Sequence, residues 1–166
     1  MSVEEQGVNF DRYMLVPRTL IFLTRGDEVL LLKGAKNKRL WSGLYNGIGG
    51  HIEKGEDVFD AAQREIIEET GISSQLLSLC GIVTVDSGIN PGVCIFIFKG
   101  ECLLGKVSGS AEGSLEWIAR SELFHLPLVA DLHELLPRIL SHPPGSQPFT
   151  AHSVYDENGR LTITFH

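Results

Sequence analysis

The run Arg64-Glu65-Ile66-Ile67-Glu68-Glu69-Thr70-Gly71 places three carboxylates within five residues, two of them adjacent, in a segment of helix formers that stops at glycine. Like charges four apart on a helix, as Glu65 and Glu69 would be, repel by a few tenths of a kcal/mol. A solvated face can absorb that cost. On a helical wheel at about 100° per residue, Val58, Phe59, Ala62 and Ile66 form the packing stripe. Glu65, Glu68 and Glu69 fall within about a 100° arc that overlaps the edge of this stripe at Glu69. The acids therefore occupy the shoulder where the helix meets the rest of the fold. There they are unfavourable unless a cation joins them.

A hard divalent ion suits such a place, because Mg²⁺ takes oxygen ligands, keeps waters and bridges to phosphate oxygens. Upstream, Gly47-Ile48-Gly49-Gly50 allows close backbone approach and can offer a carbonyl to a metal or N–H groups to a phosphate. Acids, glycine-rich backbone and loop lysines together point to metal-assisted chemistry on a phosphate ester or anhydride.

Charge is distributed to match. The 166 residues carry a net charge of −7, and from Gly50 to Ile72 seven acids stand against two bases, so that window holds −5 of it. An acidic balance excludes broad nucleic-acid binding, which needs a basic surface. The length suits one domain with a real core. The N-terminus is acidic and carries no secretory pattern, and the run Val93-Cys94-Ile95-Phe96-Ile97-Phe98 is far too short to span a bilayer. Three cysteines without C-x-x-C spacing argue against zinc or a disulfide scaffold and for a reducing, cytoplasmic setting.

Periodicity predicts a hairpin over 19–33, turning at Arg25-Gly26-Asp27, then a loop over 34–50 interrupted by Trp41, Leu44 and Tyr45. A helix is expected from about Asp57, as N-cap, to Thr70, stopped by Gly71. Two strands follow around the turn Asn90-Pro91-Gly92, with a short strand at Leu115-Glu116-Trp117-Ile118. A second helix is expected over about 128–136, ended or kinked by Pro137. After Pro143-Pro144-Gly145 comes a last hairpin through Glu157-Asn158-Gly159. That order indicates a mixed sheet with helices packed on it.

Gly50, five residues, Glu56, seven residues, then REIIEETGI resembles the signature of the Nudix hydrolase family at every fixed position, over residues 50–72. The resemblance implies an α/β (α+β) fold, a Nudix-like α/β/α sandwich with a mixed central sheet. A single domain is expected over 1–166, with a core of about 17–140 and a C-terminal hairpin at 148–166. It implies hydrolysis of a nucleoside diphosphate linked to another group, with Mg²⁺ or Mn²⁺. Glu68 and Glu69 match the paired metal ligands, Glu65 matches an acid that binds metal or serves as base, and Gly50 matches a carbonyl ligand. Glu56, Arg64 and Gly71 match structural positions, the first two as a pair holding the loop on the helix. A further metal-binding acid from a later loop is expected at Glu112 in preference to Glu116.

Tyr45-Asn46-Gly47-Ile48-Gly49-Gly50 resembles the WNGFGG segment of the MutT-like, oxidised-purine branch. Asn46 matches an asparagine that reads the purine edge, with Tyr45 in the place of tryptophan. Asp131 is expected near a base-reading acid of that branch, or as a cap of the second helix. Lys33 matches a cation near substrate phosphate. The lysine that often follows the paired glycines is His51 here, so the phosphate contacts differ from the branch pattern.

The leading expectation is hydrolysis of a nucleoside triphosphate to monophosphate and pyrophosphate, sanitising 8-oxo-dGTP or related nucleotides. Competing readings are hydrolysis of a nucleotide sugar, dinucleotide polyphosphate or capped RNA end, and a non-catalytic nucleotide-binding module. The intact acids argue against the last, since a pure binder gains nothing from groups that repel phosphate. A small nucleotide is the expected partner, with no membrane or stable nucleic-acid contact, in a monomer or homodimer.

Overall fold

A computed structural model describes residues 4–36, 41–72, 76–102, 107 and 113–166. Eight strands form one mixed sheet: β1 (Leu15–Arg25), β2 (Glu28–Gly34), β3 (Tyr45–Asn46), β4 (Leu76–Asp86), β5 (Gly92–Glu101), β6 (Gly113–Ala119), β7 (Phe149–Tyr155) and β8 (Leu161–Phe165). Their order is β3-β2-β1-β5-β4-β7-β8, with β6 paired to β2. β1–β5 and β4–β7 run parallel and the other pairs antiparallel. Helix α1 (Val58–Thr70) covers one face and α2 (Leu132–Ser141) the other. The expected sandwich is the one observed.

The period-2 alternation of β1 divides the core. Leu20 and Phe22 pack with Leu31 and with Leu132, Leu135, Leu136 and Ile139 of α2. Ile21 and Leu23 pack with Leu30, Phe98 and with Ala62 and Ile66 of α1. Each fully buried Leu, Ile or Phe contributes about 1.5–3 kcal/mol, so both helices are held by burial rather than by intrinsic propensity.

α1 begins and ends where its sequence signals lie. The Asp57 carboxylate accepts from the N–H groups of Phe59 and Asp60 at 2.7 and 2.9 Å. Gly71, at φ 73°, donates its N–H to the Ile67 carbonyl. The second helix differs from expectation, running Leu132–Ser141 rather than 128–136, with Pro137 inside it. Leu128 is taken instead by a bridge to Tyr45, and the Val129 N–H by the Tyr45 carbonyl. The cost of Pro137 is offset by four fully buried side chains, Leu132, Leu135, Leu136 and Ile139.

The feature that positions the site is a parting of strands. β1 and β2 are in register only at Thr24↔Val29 and Arg25↔Glu28. Beyond that, residues 46–51 fill the gap, bridging Ile21↔Ile48 and Arg18↔His51. Reciprocal bonds join Ile21 and Ile48 at 2.7 and 3.0 Å. A Cβ on Gly49, whose φ is 150°, would stand 2.2 Å from the Thr19 carbonyl oxygen. Glycine is obligatory there. Among the described residues, no helix is long and apolar enough to cross a membrane.

Candidate active site

The acids of α1 divide by depth. Glu65 and Glu69 are buried, 8% and 4% exposed, whereas Glu68 lies in solvent. The Glu65 carboxylate occupies the space beside Gly50, where an added Cβ would stand 2.3 Å from Glu65 Oε1. The Gly50 carbonyl accepts from the Thr19 N–H at 2.9 Å and keeps a second lone pair.

Arg64 binds this region into one unit. Its Nε and Nη2 donate to the two oxygens of Glu56 at 2.6 and 3.1 Å. Nη2 also donates to the His51 carbonyl at 2.9 Å, fixing the loop that precedes the helix. Nη1 donates to Glu65 Oε1 at 2.8 Å and to Glu68 Oε2 at 3.1 Å. Glu56 and then Glu65 raise the guanidinium above its ordinary pKa. The same Arg64 bonds hold the Glu56 carboxyl below the usual carboxylate range.

As they stand, these acids do not surround a common point: among the described residues, no three such side chains converge to ligate an ion, and Arg64 engages Glu65 and Glu68 together. The donor set nevertheless fits a hard divalent cation. It consists of carboxylate oxygens and a backbone carbonyl, with Glu65 seated where only glycine leaves room. Glu68, with its side chain 59% exposed, can rotate inward by giving up one solvated pair, about 0.3–0.5 kcal/mol.

On the opposite, α2-side face of the sheet, a cavity of about 250 Å³ opens beside residues 46–51. Its walls include Arg18, Trp41, Asn46, Ile95, Asp131 and Tyr155. Asp131 Oδ1 is buried without a hydrogen-bond partner among the described residues, and burial pushes the Asp131 carboxyl up. Burial, then the nearby Asp131 charge, raises the Tyr155 hydroxyl. Asn46 Oδ1 accepts from the Gly47 N–H at 2.8 Å. Trp41 holds φ 59°, a left-handed backbone that a large residue adopts only under constraint.

The model of the NUDIX domain matches residues 14–139. The chain belongs to the Nudix hydrolase family. Nudix hydrolases generally use a divalent metal. The chain is 28% identical over 123 residues to the oxidized purine nucleoside triphosphate hydrolase of Mus musculus, covering 74% of this chain and 78% of that one. It is 38% identical over 65 residues to the NAD-capped RNA hydrolase NudC of Pseudomonas syringae, covering 39% of this chain and 22% of that protein. Among solved structures, a MutT protein from Bacillus halodurans superposes with a TM-score of 0.76 at 27% identity, over 91% of this chain and 97% of the other.

Of the residues expected at the Nudix substrate, Asn46 and Asp131 line the cavity. Asp131 does precede α2, but its side chain makes no capping bond. Tyr45 and Lys33 do not line it. Tyr45 is packed in the α2-side core, its hydroxyl donating to Glu116 Oε2 at 2.7 Å, and Lys33 Nζ lies 5.1 Å from the centroid of its ring. Burial and then the Glu116 bond push the Tyr45 hydroxyl up. The alternation of β2 brings Lys33 to the face of Val29 and Leu31, over the Tyr45 ring and away from the acids of α1. Glu116, opposite Leu31, faces the same way and therefore lies on the wrong side of the sheet from Glu65. Glu112 lies outside the described residues. Arg18 and Tyr155 are among the cavity residues sequence reasoning did not place, because distant segments bring them together.

Proposed function

We propose that this Nudix hydrolase cleaves a purine nucleoside triphosphate, 8-oxo-dGTP or a related oxidised nucleotide, to the monophosphate and pyrophosphate with Mg²⁺, Mn²⁺ serving as well. The single observation that supports a purine is the pairing of Asn46 with a buried, unsatisfied Asp131 in one cavity. An apolar cavity of about 150 Å³ takes up benzene, so about 250 Å³ admits a larger aromatic ring. Asp131, raised by burial and with its Oδ1 lacking a partner among the described residues, presents a polar group to the base edge. The Asn46 amide offers its nitrogen as donor. Together they suit an edge that carries both donors and acceptors. The oxidised-purine hydrolase of the mouse, similar over most of its length, agrees with this reading.

The ligands would be the carboxylates of Glu65, Glu68 and Glu69 with the Gly50 carbonyl. When bound, a divalent ion supplies a more acidic water and neutralises charge on the departing pyrophosphate. Glu65, buried and held by Arg64 and by the shape of Gly50, is placed to take the proton of the attacking water. Arg64 and Glu56 keep the loop and helix in a fixed relation during turnover. Water adds across one phosphoanhydride bond, and its proton leaves with the pyrophosphate or to solvent. Cys80, Cys94 and Cys102 form no disulfide, which suits a reducing cytoplasm.

The deciding experiment is a panel of 8-oxo-dGTP, dGTP, dCTP, a nucleotide sugar, a dinucleotide polyphosphate and NAD-capped RNA, with Mg²⁺, in wild type and Asn46→Ala. The expected result is pyrophosphate release fastest from a purine triphosphate, with the purine preference erased in Asn46→Ala. Faster turnover of a non-triphosphate would replace the substrate. An equal loss on all three triphosphates would make Asn46 structural.

A further inference from the structure

The wall of the cavity includes one cation among its described residues, Arg18, and nothing in the Nudix signature requires it. Arg18 sits on β1 opposite His51, in the strand that runs beside Gly50. Its guanidinium makes no hydrogen bond or ion pair with a described residue. It lies 5.6 Å from the centroid of the Trp41 ring, within cation–π range. Burial lowers its pKa, and the charge of Glu65 opposes that shift, so the guanidinium lies within electrostatic reach of the acids across the sheet edge. A partly buried guanidinium with no partner among the described residues is costly to keep without an anionic ligand.

We propose that Arg18 binds the phosphate next to the sugar of a nucleotide whose base fills the cavity, and so sets its register against Glu65. The inference rests on the nucleotide reading given above. Arg18 lines the cavity together with Asn46 and Asp131 and also bridges to His51, the residue after Gly50, so it is common to the two regions a nucleotide would span. The negative charges of Glu65, Glu68 and Glu69 repel a phosphate, and Arg18 offsets that repulsion where the chain of phosphates begins. His51 follows Gly50, and Arg18 faces it across the bridge. Arg18 is a positioning residue that makes no bond to the reacting water.

The test is calorimetric binding of dGMP and of deoxyguanosine in EDTA, so that no bound metal contributes, for wild type, Arg18→Gln and Arg18→Lys. A charge-assisted bond to phosphate corresponds to roughly 10- to 100-fold in affinity. Arg18→Gln is therefore expected to weaken dGMP by that factor while deoxyguanosine changes less than about twofold, with Arg18→Lys in between because it keeps charge but not the planar fork of donors. Removing an unpaired charge leaves the melting temperature unchanged or higher. An unchanged ratio of dGMP to deoxyguanosine affinity in Arg18→Gln overturns the proposal, even if dGTP is hydrolysed. Failure of the purine reading registers differently. Inorganic tripolyphosphate, which has no base, then still binds more weakly to Arg18→Gln while the wild type turns over no purine triphosphate.

Discussion

Gly49 and Gly50 are neighbours with opposite reasons for being glycine, and exchanging each for alanine separates them. A Cβ at Gly50 meets only the far end of a flexible side chain: Glu65 Oε1 at 2.3 Å, Cδ at 2.7 Å and Oε2 at 3.0 Å. The carboxylate can rotate away at the cost of an off-rotamer angle, about 1 kcal/mol. A Cβ at Gly49 meets backbone, the Thr19 oxygen at 2.2 Å and carbon at 2.9 Å, from a φ of 150° that side chains avoid. Strain and overpacking there add to about 3 kcal/mol or more. At about 2–4 °C per kcal/mol for a chain of this size, Gly50→Ala lowers the melting temperature by roughly 2–4 °C and Gly49→Ala by roughly 6–12 °C. Activity orders them the other way. Displacing Glu65 costs Gly50→Ala on the order of a hundredfold or more in kcat, whereas Gly49→Ala, assayed well below its melt, keeps the carboxylate in place. Calorimetric melts and pyrophosphate release at about 20 °C, well below both expected transitions, supply both readings. A Gly50→Ala enzyme with wild-type kcat, or one that melts below Gly49→Ala, refutes the steric assignment of Glu65.

Glu68→Gln and Glu69→Gln are each expected to fold, by circular dichroism, and to lose on the order of a thousandfold in kcat, about 4 kcal/mol; wild-type turnover by both removes the metal assignment. Mg²⁺ at about a hundred times its dissociation constant adds about 2.7 kcal/mol and raises the melt by roughly 5–11 °C over EDTA; superimposable melts with equal activity would mean no such site exists. Arg64 depresses the Glu56 pKa, so that pairing stabilises the fold fully above the unfolded carboxyl value, about 4.3, and is lost as pH falls through the lower folded value. Glu56→Gln accordingly flattens the acid limb of stability against pH; an equally steep limb in the variant contradicts it.

Local signals were legible. Asp57 and Gly71 bound α1 because caps act within a turn, and the hairpin turns at Gly26 and Gly159 act over as short a range. Charge spacing likewise revealed the acids, since their repulsion is a property of the helix alone. What could not be read is what distant strands decide. Leu128 and Val129 carry a helical pattern, yet a bridge from Tyr45 claims them, so α2 starts late and swallows Pro137. β1 begins at Leu15, ahead of the expected Thr19, because its parallel partner β5 supplies register from Gly92 onward. Tyr45 reads as a substrate residue until core packing and the bond from its hydroxyl to Glu116 on β6 claim it. The cavity draws Asp131 and Tyr155 from segments far apart in sequence, and no window of residues contains both.

The parting of β1 from β2 has an evolutionary consequence. Residues 46–51 pass through the gap and connect a cavity on one face to carboxylates on the other. Val85, Val93, Val129 and Tyr155, which shape the cavity, come from strands and loops that contribute nothing to α1. On the proposed function, substitutions among them alter the accepted base while leaving Gly50, Glu65, Glu68 and Glu69 untouched. Recognition and bond cleavage would then be separately mutable, so that descendants of this chain could drift to new nucleotides through folded, hydrolytically competent intermediates.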